Sequence, residues 1–224
     1  SWLTNPDVRE LSSPWADENW RRARTQVLIE ALHLHRTFIE CVPHKIRKYL
    51  YGAMDILGGK VSPQVNSKAL QSAWATLFFV IPVVSTTFAS FDRLFFHCGR
   101  ESLGWLLIDE AGQATPQSAA GTLWRARRVV IAGDPRQLQP IVSLPFTAQQ
   151  ALRAHFGVEE TWLPSKHSAQ TLADRVSHFG TWLMSENSDE PFWVGSPLRV
   201  HRRCEKPMFD ISNQIAYSGQ MVYD

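Results

Sequence analysis

This sequence has few cysteines, almost no excess of either charge and no long hydrophobic run, and each scarcity removes a class of protein. Cys41, Cys98 and Cys204 are the three cysteines in 224 residues, with no C-x-x-C pair. That spacing supports neither a disulfide framework nor a cysteine zinc site, and reduced thiols in a cytoplasmic protein are the expected state. The longest apolar run, Leu77 to Val84, falls far short of the roughly 20 residues that cross a bilayer, so neither a membrane span nor a secretory signal is expected. Lysine and arginine number 23 against 21 acidic residues, a formal charge of +2. Such a balance neither demands nor forbids nucleic acid, because a basic stripe can sit inside a neutral total. Hydrophobic residues, by contrast, reach 44% and aromatics 11%, enough for a globular core and incompatible with disorder or collagen-like repeats. The length suits one large domain or one domain with an insertion. Because the chain opens on Ser1 and stops just after Met221-Val222-Tyr223, we expect a piece of something longer.

Along the chain, Ser13-Pro14 reads as a helix start, followed by helical spacing of Trp20, Val27, Leu28, Ala31, Leu32, Phe38 and Ile39 up to Pro43. A second helix is predicted over Lys45 to Leu57, stopping at Gly58-Gly59, and the two form an α-hairpin. Arg21, Arg22 and Arg24 read as its solvated face. Beyond Lys68 the pattern changes to short apolar runs. Leu77 to Val84, Trp105 to Ile108 and Val129 to Ala132 read as parallel strands buried on both faces, alternating with helical or loop segments such as Pro116 to Arg127. Helical spacing returns over Ala148 to Phe156 and Ser168 to Trp182.

The informative segment is Leu106-Leu107-Ile108-Asp109-Glu110-Ala111-Gly112-Gln113-Ala114. A hydrophobic strand ending in two carboxylates delivers them to the carboxyl edge of a parallel sheet, where open α/β sheets place ligands. Asp109 is suited to holding magnesium through water, and Glu110 to orienting an attacking water. The next strand, Val129 to Ala132, runs into Gly133-Asp134-Pro135-Arg136-Gln137-Leu138-Gln139-Pro140. Its glycine and proline force a tight turn at the same edge, so Asp134 and Gln137 are expected to project towards the carboxylates. The Gln137 amide can donate to a phosphate oxygen and accept from water, which suits it to sense a terminal phosphate.

D-E-A-G-Q-A followed by G-D-P-R-Q-L-Q-P resembles motifs II and III of superfamily 1 helicases, in the branch that includes the nonsense-mediated-decay RNA helicase. Two further segments agree in order. Val83-Val84-Ser85-Thr86-Thr87-Phe88-Ala89-Ser90 resembles the threonine-containing motif that contacts the nucleic-acid backbone. Leu198 to Cys204, with Pro207, Phe209, Asn213, Tyr217 and Gly219 downstream, resembles motif IV. The family's motif reads glutamine, tyrosine, arginine, methionine, histidine. Here Val200 to Cys204 keeps only the arginine, so Arg202 is the position carried over for phosphate contact, with Arg203 competing.

The resemblance implies a partial RecA-like parallel sheet with helical insertions, an α/β fold. Residues 1–70 would be a stalk-like helical insertion, 71–145 part of the RecA-like ATPase core, 146–194 a second helical insertion, and 195–224 motif IV and the start of a second RecA-like domain. It implies an ATP- and magnesium-dependent helicase working on single-stranded or partly duplex DNA or RNA. Asp109, Glu110, Gln137 and Arg202 would be its catalytic residues. Asp109, Gly133, Asp134, Gln137 and Arg202 would face the nucleotide, and Thr86, Thr87 and Ser90 the nucleic acid. Read as plain structure, those three hydroxyls bond a strand end, and Arg125, Arg127 and Arg128 are equally a basic track or a solvated boundary.

No G-x-x-x-x-G-K-[ST] stretch is present. The single Gly-Lys pair, Gly59-Lys60, is followed by Val61, and Met54 stands where the first glycine would be. The chain alone is therefore expected to bind ATP weakly and to need the rest of the helicase chain, with its P-loop and second RecA-like domain. Two readings stand beside the helicase: a non-catalytic nucleic-acid or protein interaction module, and a P-loop ATPase with no nucleic-acid track. His33, His35, His97 and His201 lack the spacing of metal ligands, no G-x-S-x-G elbow occurs, and Trp74, Trp105 and Trp124 are expected to pack in the core.

Overall fold

A carboxylate one turn later than expected starts the first long helix. The computed structural model describes residues 4–13, 17–62, 64–184 and 191–224, so Pro14 lies outside the described residues. Helix α2 runs over Glu18–Cys41 (α1 is Pro6–Leu11), and the Asp17 side chain accepts the backbone N–H groups of Asn19 and Trp20, satisfying two amides that the first turn leaves without partners. Pro43 opens α3 (Pro43–Leu57), which stops at Gly58. Arg21 and Arg22 pair with Glu18 on a solvated face.

Contacts divide the chain into two units, residues 13–100 and residues 101–224 together with 1–12. In the first, α3 packs principally on α4 (Ser67–Val80) rather than forming a simple hairpin with α2. Ala53 is buried there, and a Cβ added at Gly52 would meet the Ala73 Cβ at 3.6 Å, an ordinary van der Waals distance. Helix α2 buries none of its residues and touches α4 through His35 stacked on Phe79, ring centroids 4.3 Å apart.

The expected strand over Leu77 to Val84 is a helix up to Val80. Asn66 caps α4 by accepting from the Lys68 N–H at 2.8 Å, and Leu70, Ala73, Trp74 and Leu77 recur at helical spacing to make the buried face. An unbroken apolar run carries no periodicity of its own, so the cap and the upstream spacing decide its state. Trp74 is 4% exposed and packs on Phe95 at 4.8 Å. An irregular segment over 82–87 then leads into α5 (Phe88–Leu94).

In the second unit, β1 (Leu103–Ile108) and β2 (Ala126–Ile131) pair in parallel, Leu103 opposite Ala126 and Ile108 opposite Ile131, joined by α6 (Pro116–Arg125). Leu103, Ile108 and Ala126 are buried, but Trp105 is 60% and Leu107 69% exposed. The expectation of strands buried on both faces is thus corrected: among the described residues the parallel sheet has two strands, and one of its faces is open. Trp105 and Trp124 are likewise exposed rather than packed, each beneath a guanidinium, Arg128 and Arg125, at 5.5 Å.

The region after β2 holds α7 (Phe146–Phe156) and α8 (Ala169–Val176). Helical structure does not continue to Trp182. Instead β3 (Gly180–Leu183) pairs antiparallel with β4 (Phe192–Gly195), a hairpin whose cross-strand Trp182 and Trp193 meet edge to face at 5.3 Å. Finally β5 (Val200–His201), α9 (Met208–Tyr217) and β6 (Val222–Tyr223) form a small parallel crossover over the buried Phe209. The fold is a mixed helix and strand architecture with short parallel sheets.

Candidate functional site

Hydrogen bonding between β1 and β2 continues past the ends of both strands. Ala132 N donates to the Ile108 carbonyl at 2.8 Å, and Ala111 N donates to the Ala132 carbonyl at 2.9 Å. The two turns expected to carry chemistry are therefore stitched backbone to backbone. Glycine makes this approach possible: a Cβ on Gly133 would lie 2.9 Å from both Ala111 N and Gly112 N, closer than carbon and nitrogen can pack.

Asp109 and Glu110 are both exposed at the carboxyl end of β1. Asp109 Oδ1 accepts the Glu110 N–H at 3.0 Å, and among the described residues its second oxygen has no partner. Glu110 has φ 53° and ψ 38°, the left-handed region that a β-carbon disfavours. Strain of this kind concentrates where it aims a side chain for function. Gln113 Nε2 reaches Glu110 Oε2 at 3.5 Å.

Asp134 is a hub. Its Oδ1 accepts the Arg136 N–H at 2.9 Å, while its Oδ2 accepts both Gln137 Nε2, at 3.0 Å, and the hydroxyl of Tyr217. Gln137 thus has one amide N–H engaged and its Oε1 without a partner among the described residues, in an exposed position. The two turns meet through their backbones, but no hydrogen bond or ion pair among the described residues joins Asp109 or Glu110 to Asp134 or Gln137. Beside them a small cleft is lined by Gly112, Asp134, Gln137, Leu138, Lys166 and His167. Burial, then the positive charges of Arg175 and Lys166, push the His167 pKa down, which favours the neutral ring.

Other sequence candidates lie apart from this cluster. Arg202 Nε pairs with Asp224, while the exposed Arg203 has no partner among the described residues. Thr86 and Thr87 are exposed in the segment before α5, and Thr87 occupies the cap position without a side-chain cap bond. Ser90 lies in the first turn of α5 with its N–H on the Thr87 carbonyl. Arg127 Nε donates to the Glu101 carbonyl at 2.9 Å, a structural use of one of the three arginines between α6 and β2.

Several residues emerge only in three dimensions. Gln170 and Asp174, one turn apart on α8, are 6% and 4% exposed. Gln170 Nε2 donates to Asp174 Oδ1 at 3.1 Å, and the same oxygen accepts Gly195 N–H at 2.9 Å, tying α8 to β4. The Gln170 Oε1 is buried without a partner among the described residues, about where a Gly133 Cβ would come within 3.0 Å of it. Burial raises the Asp174 pKa, against the opposing pull of the Gly195 and Gln170 hydrogen bonds. Arg136 donates to the Met184 carbonyl and lies over the Phe192 ring at 5.0 Å, so the second turn also holds the β3–β4 hairpin. The i, i+4 placement of Gln170 and Asp174 is visible in the sequence, but nothing there says that the face they share is buried.

Among the described residues, no group of three or more histidines, cysteines, aspartates or glutamates is placed to hold a metal, and no helix is long and apolar enough to cross a membrane. All three cysteines are free thiols. No curated protein matches the chain. Residues 65–144 match the model of a protein family described as AAA domain, a stretch that takes in α4, α5, the β1–β2 pair and both turns at its carboxyl edge, and this part of the chain is similar to that family.

Proposed function

We propose that this chain is the central part of a nucleoside triphosphate-driven helicase or translocase of superfamily 1, in the nonsense-mediated-decay helicase-like branch, acting on single-stranded or partly duplex DNA or RNA in the cytoplasm. The observation that carries the reading is the seam between the two turns. It places a strand-end Asp-Glu pair and a glycine-led Asp-x-x-Gln turn side by side at the carboxyl edge of a parallel sheet, where such sheets take nucleotides. The match of residues 65–144 to an AAA domain family agrees with a nucleotide-dependent, helicase-like activity.

The residues fit a single magnesium ion held with its nucleotide. Asp109 keeps one oxygen unengaged, and magnesium commonly binds through one or two carboxylates, waters and substrate phosphates rather than a full protein cage. Bound there, the ion would supply neutralisation of phosphate charge. In the reaction, water attacks the γ-phosphorus, the bond to the β–γ bridging oxygen breaks, and the water's proton leaves towards a base. Glu110, exposed and held by its left-handed backbone, orients that water and accepts the proton. Gln137 offers the γ-phosphate one N–H and the water its unengaged Oε1, so its contacts change once the phosphate departs. An arginine stabilises the transferred charge. Arg202 would first have to release Asp224, whereas Arg203 is unengaged, and this makes Arg203 the stronger candidate of the two. Thr86, Thr87 and Ser90 contact the nucleic-acid backbone, which positions a strand without reading its sequence.

The missing G-x-x-x-x-G-K-[ST] supports a second reading of the 224 residues taken alone, a nucleic-acid or protein interaction module without hydrolysis. Calorimetry of this chain with ATP and magnesium separates the two: binding at micromolar affinity would contradict the need for a P-loop from elsewhere. For the helicase reading, the test is ATP hydrolysis by the full-length protein with and without single-stranded oligonucleotides. Stimulation supports it, and hydrolysis indifferent to every oligonucleotide points to an ATPase with no nucleic-acid track.

A further inference from the structure

Gln137 can report on a phosphate only if its amide is held one way round. An unrestrained glutamine amide rotates and exchanges its donor and acceptor ends, which would present phosphate and water with either face. Asp134 Oδ2 removes that freedom by accepting Nε2 at 3.0 Å, leaving Oε1 as the outward acceptor. The restraint is worth no more than the fixity of Asp134 itself. One of its oxygens is held locally, by the Arg136 N–H two residues along the same turn. The other is held from 83 residues away by the Tyr217 hydroxyl, at the last position of α9.

The end of α9 is itself well fixed. Asn213 donates through Nδ2 to the Met221 carbonyl at 3.0 Å and accepts the Met221 N–H at 2.9 Å, and its backbone carbonyl accepts the Gly219 N–H. The chain after α9 is thereby folded back onto the helix and leads into β6, where Tyr223 packs on the buried Phe209. Tyr217 is thus a rigid donor on a pinned helix end, and it is half-buried, so water competes poorly for its bond.

We propose that Tyr217 is a positioning residue that acts through Asp134 to fix the Gln137 amide, linking the α9 segment to the turn that senses phosphate. The proposal deepens the nucleotide reading of Gln137 and rests on it for its functional part. Its geometric part stands alone. A displacement of α9 would take one of the two donors from Asp134 Oδ2 and loosen Gln137, so the same contact transmits movement of the 200–223 segment to the site. The phenol is shifted in the direction such a bond requires: burial first, then the hydrogen bond and charge of Asp134, push the Tyr217 pKa up to about 12.

The experiment is side-chain amide NMR of the 224-residue chain, with the Gln137 signal identified by its loss in Gln137→Ala. Tyr217→Phe removes one oxygen and keeps the ring. It is expected to speed exchange of the Gln137 amide protons about tenfold, the scale of one net hydrogen bond, and to move their shifts towards those of free glutamine. Asp134→Asn is expected to give the same change, with little added by combining the two. A folded Tyr217→Phe protein whose Gln137 signals are unchanged overturns the proposal, because a merely structural tyrosine would alter melting and leave that amide alone. Should Tyr217→Phe fail to fold, phenol titration of Asp134→Asn decides. There the Tyr217 value is expected to fall from about 12 towards the ordinary phenol value, and an unmoved value overturns the link. In the full-length protein, Tyr217→Phe is expected to lower kcat for ATP with KM little changed. If the Gln137 signals move but hydrolysis does not, the positioning stands and it is the reading of Gln137 as a phosphate sensor that fails.

Discussion

Ala111, three residues beyond the end of β1, donates its backbone N–H at 2.9 Å to the carbonyl oxygen of Ala132, one residue beyond the end of β2. That bond turns two separate loops into one site. It depends on the absence of side chains at Gly133 and Gly112, whose Cβ positions fall against the opposite turn's backbone, Gly112's lying 3.1 Å from the Asp134 carbonyl oxygen.

Gly133→Ala is accordingly expected to destabilise the chain by about 2 kcal/mol, the range for forcing a methyl into packed backbone. Urea unfolding of the variant beside the wild type checks this. A loss below about 0.5 kcal/mol would mean that the seam opens freely.

Glu110→Gly should have the opposite sign. Relief of the left-handed strain at φ 53° is expected to add about 0.5–1 kcal/mol of stability to the 224-residue chain, while the full-length protein loses hydrolysis. A destabilised variant would show that the Glu110 side chain holds the turn together rather than being held by it.

The raised pKa of Asp174 sets a pH dependence. Its folded value lies above its unfolded one, so between the two the native state binds more protons, and stability falls as pH rises through that window. Asp174→Asn should flatten this part of the curve relative to the wild type, leaving the two proteins with parallel profiles above that window. Thermal melts across the acid range test it, and a wild-type curve that rises through the same window relative to the variant would reverse the assignment.

Arg136→Ala should release the β3–β4 hairpin from the second turn. Losing the bond to Met184 and the stacking on Phe192 amounts to roughly 1–2 kcal/mol. Amide exchange at Thr181 and Val194 is then expected to accelerate about tenfold or more, with β1 and β2 unaffected. Unchanged exchange in the hairpin would show that β3 and β4 stand without this arginine.

Legibility in the sequence followed the range of the interactions. Trp105 to Ile108 and Val129 to Ala132 could be read as neighbouring parallel strands because each is a short apolar run ending in a turn of its own. Leu77 to Val84 looked the same, yet its first half is helix, decided by Asn66 and by spacing that begins at Leu70. The helical pattern after Ser168 broke at Val176 because β3 finds a partner across the 185–190 interval, which local spacing cannot register. At the site, the acidic pair and the Asp-x-x-Gln turn were plain. The contacts that hold them, Tyr217 to Asp134 and Arg136 to Met184, span 83 and 48 residues and follow from no local pattern.

We propose above all that the stitched turns form a triphosphate-hydrolysing site. The most direct test is Glu110→Gln in the full-length protein, followed by ATP hydrolysis and ATP binding in parallel. Hydrolysis is expected to fall about 100-fold or more, the scale expected when a positioned base is lost, with ATP binding retained. Hydrolysis at the wild-type rate in a folded variant would contradict the proposal.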